Sequence, residues 1–444
     1  LAPGNDFVLI RASGNFHVAK AGANSKSGQQ RLELDGLRVP RVPTAEWEQI
    51  FHEVWRRYRD FFYVANMHGY DWEALRDRYA PLVAHVRHRS DLNYVLGEMV
   101  AELNVGHAYI TGGFTGAPDR VPVALLGAEL GFDPETGHYR INAILEGEND
   151  DPVYRSPMTA VGVQVDRGDF LLAIDGEELT PEQNPYHLLR DKAGRRIMLT
   201  VNDKPSADGA RTIEVDPISS EGKLRYLAWV RKNRAHVEEQ TGGRLGYMHL
   251  PDMGANGIRE FIKQYYPNRD KQGLVVDDRG NGGGNVSQMV LNRLQRQLLM
   301  CTFGRTTGFR PYPSATFQGH LVCLLDETSA SDGDIFPAMF RRAGLGQLVG
   351  KRSWGGIIGI TNRGPLLDGG TVNVPEFGNT EPDGAWTIEG VGVSPDIEVE
   401  NDLASLLAGR DPQLDKAIEV LLVEVEQDPR TRPVAPPAPI RTGR

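Results

Sequence analysis

Apolar positions along this chain follow different periods in different stretches. Behind Pro43-Thr44, the residues Trp47, Ile50, Phe51, Val54, Trp55 and Tyr58 recur at helical spacing. They predict a helix that buries one face, with Thr44 as its N-cap. Leu92, Val95, Leu96, Met99, Val100 and Leu103 predict a second helix from about Ser90. It ends at Asn104-Val105-Gly106, which leaves His107 on a Gly-flanked turn just past a helix end. Residues 41–116 therefore form a predicted helical subdomain. Before it, residues 1–40 form a strand-rich N-terminal stub: Phe7–Ile10, Asn15–Val18 and Arg31–Leu34 alternate like short strands, and a Gly/Ser/Asn turn spans Ala21–Gln29.

From 117 to 218 the period shortens. Leu130–Phe132, Tyr139–Leu145 and Gly162–Val165 predict strands, and Arg167–Leu179 predicts a strand closing in an Asp175-Gly176 hairpin turn. A helix over Pro185–Lys192 and a strand over Ile197–Val201 complete a β-rich module. Residues 219–427 then alternate strand and helix. Helices are predicted over Lys223–Glu239, Gly257–Tyr266, Ser287–Leu299 and Ile335–Ala343, and strands over Leu245–Leu250, Gly273–Asp278 and His320–Leu325. That order predicts a βαβ-type sheet core. A proline-rich tail, 428–444, is expected to stay disordered.

Composition narrows the function classes. The 444 residues carry a net charge of −10, which argues against a broad nucleic-acid surface. No apolar run reaches the ~18 residues of a membrane span. No secretory signal opens the sequence. The chain starts at Leu1, so a processed product or a fragment is expected. The two cysteines, Cys301 and Cys323, are expected as small core residues rather than a disulfide, which fits a reducing compartment and a cytoplasmic location. No H-E-x-x-H or C-x-x-C pattern is present, so no metal and no cofactor is expected.

Candidate chemistry lies at two strand-to-loop transitions. Ser331 follows the apolar strand His320–Leu325 and opens a helix, where free N–H groups and the positive dipole end collect. A serine hydroxyl there can attack a carbonyl if a base takes its proton and donors hold the oxyanion. The N–H of Asp332 is a candidate donor; helix capping is the bland alternative for the same residues. The run Gly282-Gly283-Gly284 after the strand at 273–278 can bring backbone N–H groups close to a substrate. Gly284 is followed by Asn285 rather than a lysine, so it is not a phosphate loop. His107 is one of eleven histidines, and spacing alone does not select it.

These residues and three long segments resemble the tricorn protease family of the tail-specific peptidases. The segments are RGNGGGNVS (279–287), SASDGDIFPAMFRRAGLGQLVGKRSWGGIIGI (329–360) and IEGVGVSPDIEVE (388–400). The similarity runs from about Trp47 to Val425. The segment RGDFLLAIDGEEL (167–179) and the element order around it are similar to a PDZ domain, so 117–218 is expected to be a PDZ-like module that docks an extended peptide. The implied fold is α/β and α+β multidomain: helical subdomain, PDZ-like module, and an α/β sheet catalytic core of the tail-specific protease (ClpP/crotonase-like) type. The resemblance implies a serine peptidase with Ser331 as nucleophile, His107 as base and Glu389 in the charge network. It also implies an oxyanion site from the N–H groups of Asp332 and the glycine run, Gly284 ahead of Gly283. Peptides or unfolded polypeptides are the implied substrates, and a homo-oligomer, by resemblance a hexamer, is the implied assembly.

Two positions depart from the family pattern. Gly106 stands where a serine hydroxyl would link glutamate and histidine. Thr302 stands where an acidic residue helps accept a basic side chain, and no Asp or Glu occurs from Asn285 to Leu325. A weaker preference for cutting after Lys or Arg is therefore expected. The serine–lysine branch is set aside: Ser353-Trp354-Gly355-Gly356-Ile357-Ile358 holds no lysine, and Lys351 is expected at the surface. The competing reading is a non-catalytic peptide- or ligand-binding protein on the same fold.

Overall fold

The computed structural model describes residues 6–22, 30–34, 36–38, 40–116, 118, 120–430 and 433–442. Most of the turn expected at Ala21–Gln29 lies outside them. The centre is a five-stranded, all-parallel sheet in the order Leu245–His249, Gly273–Asp277, His320–Leu325, Gly346–Gly350, Ile397–Glu398. Every residue of its first three strands is buried. Parallel strands covered on both faces have no polar side, which is why they read as unbroken apolar runs. One face packs Phe261, Tyr265, Val290, Phe336 and Phe340. The other packs Val230, Val237, Leu414, Ile418 and Leu421. The loops 278–286 and 326–331 leave the carboxyl ends of adjacent strands, where open α/β sheets place their sites.

The helical part comprises Pro43–Phe61, Trp72–Val83 and Arg89–Ala101. Thr44 is not the N-cap of the first: Val42 is, because Pro43, with no N–H to satisfy, takes the first helical turn. Trp55 and Trp72 donate their indole N–H groups to each other's carbonyls, at 2.8 and 3.0 Å. Three side chains from far along the sequence, Leu366, Val372 and Val374, complete this core. The strand Tyr109–Thr111 pairs antiparallel with Thr371–Phe377, which pairs in turn with Gly359–Pro365. His107 thus sits two residues before a strand stitched into the C-terminal part of the chain.

The β-rich module orders its strands Arg211–Val215, Ile197–Asn202, Phe170–Ile174, His138–Ile144, Ala128–Asp133. Asp175 and Gly176 take φ +51° and +81°, the double positive φ that a two-residue hairpin needs. The strand expected at Gly162–Val165 does not form. Its Gln164 carbonyl instead accepts from Arg211 Nε at 2.9 Å, replacing a strand partner by a side chain. The helix expected over Pro185–Lys192 stops at Leu188. A small antiparallel sheet, Phe7–Ala12, Asn15–Lys20 and Gln30–Arg31, precedes the helices. The helix expected to Leu299 ends at Leu294, and a hairpin, Met300–Gly304 with Gly308–Tyr312, follows. Cys323 is buried in the central sheet, but Cys301 is only half-buried on that hairpin; both are free thiols. No helix of the described residues is long and apolar enough to cross a membrane.

A buried ion pair fastens the helices to this C-terminal sheet. Arg89 Nε lies 2.5 Å from Asp368 Oδ2, with both side chains at most 2% exposed. Removing one partner strands the other charge in the interior, which typically costs ~3–5 kcal/mol. Arg89→Ala is therefore expected to lower the midpoint of urea unfolding markedly. An unchanged midpoint would show that the pair does not hold the two parts together.

Candidate active site

Ser331 ends the loop that leaves the central strand His320–Leu325 and caps the helix Asp332–Arg342. Its backbone has φ +59° and ψ −120°, a region that costs a non-glycine residue ~1–3 kcal/mol. The conformation is over-determined by hydrogen bonds. The Ser331 N–H donates to Asp334 Oδ2 at 2.8 Å, and its carbonyl accepts from Asp334 and Ile335 at 2.9 and 3.0 Å. Ser329 Oγ donates to the Asp278 carbonyl at 2.9 Å, which ties this loop to the neighbouring strand.

The glycine run lies against the same turn. A Cβ on Gly283, whose φ is +87°, would stand 2.5 Å from Ser331 Cβ and 2.9 Å from the Asp332 nitrogen. Only a glycine permits that approach. The Gly283 N–H is already given to Asn281 Oδ1 at 2.9 Å, and its carbonyl accepts from Met253 at 2.8 Å. It is therefore not a free donor, and its role is the close approach. Among the described residues, the N–H groups of Gly284 and Asp332 have no recorded partner. Two unpaired donors thus adjoin the contact between Gly283 and Ser331. The Asp332 carboxylate locks the arrangement, accepting from the Ser287 hydroxyl at 2.5 Å and from its N–H at 3.0 Å.

His107 is 7% exposed, and its Nδ1 has no hydrogen-bond partner. Its ring packs between Trp354 and Tyr109, with centroids 5.1 and 5.9 Å away. Burial pulls its pKa below the usual imidazole value, against the opposing pull of the Glu389 and Asp334 carboxylates. The imidazole is then neutral, and able to accept a proton, at neutral pH. No hydrogen bond joins it to Ser331 among the described residues; such bonds often tighten only when substrate is bound.

Glu389 does not bond the imidazole. Its Oε1 accepts from the Gly106 N–H at 3.0 Å, and its Oε2 from the Ile357 and Ile358 N–H groups at 2.6 and 3.0 Å. The carboxylate holds the backbone beside His107. The hydroxyl absent at Gly106 is not replaced by another hydrogen-bonding group. A Cβ there would stand 3.3 Å from the Trp354 ring and 3.1 Å from Gly356 Cα, so the ring packs over bare backbone. Thr302 is exposed on the hairpin, opposite Arg310, and among the described residues no hydrogen bond or ion pair joins it to this site. Lys351 pairs with Glu398 and Glu400, each at 2.8 Å. No group of side chains among the described residues is suited to a metal.

The structure therefore brings together Ser331, Asp332, Gly283 and Gly284, and puts His107 and Glu389 around the loop 353–358. The family model for the tricorn protease C1 domain matches residues 43–101, that for the tricorn protease PDZ domain matches 124–220, and that for peptidase family S41 matches 244–399. The chain belongs to the tricorn protease family. A tricorn protease homolog 1 from Streptomyces coelicolor is 40% identical over 97% of this chain and 40% of its own length. A tricorn protease from Thermoplasma acidophilum is 33% identical over 89% of this chain and 37% of its own. A crystal structure of the tricorn protease superposes with a TM-score of 0.88 at 31% identity, over 96% of this chain and 41% of that one. The chain thus spans about two fifths of the length of these family members.

Two residues of the site escaped the sequence reading. Trp354 and Asp334 both lie within the family-like segment 329–360, where neither was singled out. The spacing of two acids after Ser331 was the only available signal for Asp334. Because Gly283 abuts Ser331, Gly283→Ala is expected to leave a folded protein in which Ser331 reacts with a fluorophosphonate at least ~10-fold more slowly. Wild-type labelling in that variant would contradict the close approach.

Proposed function

We propose that this chain is the catalytic part of a serine peptidase acting through an acyl-enzyme. Ser331 Oγ attacks the peptide carbonyl while His107 takes its proton. The N–H groups of Asp332 and Gly284 receive the oxyanion. His107 then protonates the leaving amine, and water, activated by the same imidazole, releases the acid. One observation carries this reading: a serine held at φ +59° against Gly283, with the adjoining N–H groups of Asp332 and Gly284 unpaired. Capping alone requires neither the positive φ nor an approach that only glycine permits. Peptides or unfolded polypeptides are the proposed substrates, taken up with help from the PDZ-like module. A cytoplasmic homo-oligomer, hexameric by family resemblance, is the proposed assembly.

The mechanism needs neutral His107. A base whose pKa is lowered by burial is protonated, and lost, only below the ordinary imidazole range. The acid limb of kcat/KM is therefore expected to have its midpoint below 6.5. A midpoint at or above 7 would contradict the assignment.

Cleavage of a mixed peptide library, mapped by mass spectrometry, tests activity and specificity together. The exposed Thr302 offers no carboxylate to a basic side chain, so cuts should not concentrate after Lys or Arg. Dominant cutting there would overturn this part. Ser331→Ala should abolish every cut and all fluorophosphonate labelling. A folded, assembled wild-type protein that neither cuts nor labels would favour a binding protein instead.

A further inference from the structure

Asp334 is fully buried, three residues past the nucleophile, yet it has no place in the mechanism above. Every partner it has is a donor. Oδ2 accepts from the Ser331 N–H at 2.8 Å, and Oδ1 from the Gly355 N–H at 2.7 Å. The Ser353 side chain and the Gly356 backbone also favour its charged form. Burial raises the Asp334 pKa, and these donors oppose that rise by favouring the ionised carboxylate. One side of this knot is the backbone of Ser331. The other is the loop Ser353–Gly356, which carries Trp354 against the His107 ring. That loop is itself anchored: the Trp354 N–H donates to the Ser329 carbonyl at 3.0 Å, and Ser353 Oγ accepts from the Val393 N–H at 2.8 Å.

We infer that Asp334 is a positioning residue for the reaction, a buried carboxylate that fastens the nucleophile's backbone and the loop packed on the base to a single point. The inference rests on the peptidase reading and deepens it. His107 has no hydrogen-bonded orienter on Nδ1, so its ring is set by packing, and the packing is set by this loop. Asp334 thereby couples two residues 224 positions apart (331 − 107) in sequence. It also faces the imidazole electrostatically, as does Glu389; Tyr109 and Trp354 contribute the rings against it.

Asp334→Asn removes one acceptor and one negative charge with little change of shape. The expected result is a kcat lower by about 100-fold, the scale for a catalytic group misplaced by about an ångström. KM should stay within about twofold, a split that marks lost transition-state stabilisation. The acid limb of kcat/KM should move to lower pH, because a negative charge that favoured the protonated imidazole is gone. Trp354→Ala, at a partly exposed position, provides an independent reading if the first variant does not fold. It should also lower kcat, but move the acid limb to higher pH, because it opens the buried ring to water. Opposite displacements of the limb distinguish positioning from mere loss of stability. Unchanged kcat and limb in a folded Asp334→Asn, or in Trp354→Ala, overturns the inference while leaving the peptidase reading intact. A wild-type protein without hydrolysis or labelling overturns both.

Discussion

The carboxylate of Glu389 accepts three backbone N–H groups, from Gly106, Ile357 and Ile358, and that clasp brings the halves of the site together. His107 belongs to the helical part, which folds around its own core of Trp55, Trp72 and Leu96. Ser331 belongs to the parallel sheet. Three acceptor contacts on one carboxylate, charge-assisted and partly shielded from water, fix where the backbone beside the histidine lies. The Arg89–Asp368 pair and the strand Tyr109–Thr111 extend the same attachment outward. Glu389 thus holds the main chain beside His107 and makes no hydrogen bond to its ring.

The serine side of the site trades conformational cost for geometry. Ser331 is held at a positive φ by bonds from both its N–H and its carbonyl, and Gly283 closes against it where any side chain would collide. The same crowding engages the Gly283 N–H with Asn281 and leaves those of Gly284 and Asp332 open. Two adjacent glycines therefore differ: one makes the close approach, and the other keeps its N–H unpaired. The imidazole side trades hydrogen bonding for packing. Trp354 lies over Gly106 and Gly356, where a Cβ would crowd or clash with its ring, and against His107. Burial lowers the pKa of the His107 imidazole, against the Glu389 and Asp334 carboxylates.

Much of this was legible in the sequence, and the parts that were not share a cause. Strands buried on both faces announce themselves as apolar runs, so Gly273–Asp277 and His320–Leu325 were visible. The helix Trp72–Val83 was not, because Pro81 and a charged outer face blur its period. The strand Gly346–Gly350 was hidden by its two terminal glycines. At the site, residue types that carry chemistry pointed to Ser331, His107 and Glu389 once the family resemblance was used. What a residue type cannot express is which backbone N–H is free. The contrast between Gly283 and Gly284, the main-chain grip of Glu389, and the double attachment of Asp334 are all properties of backbone hydrogen bonding. The Thr44 cap failed for a similar reason, since Pro43 removed the donor that a cap would serve.

The central claim is that Ser331 becomes covalently acylated, with His107 as the proton acceptor. The most direct measurement is mass-spectrometric peptide mapping of the protein quenched in acid during turnover of an activated ester. The account predicts an acyl adduct on the peptide containing Ser331, absent in Ser331→Ala and formed far more slowly in His107→Ala. An adduct on another residue, or hydrolysis that persists without Ser331, would contradict it.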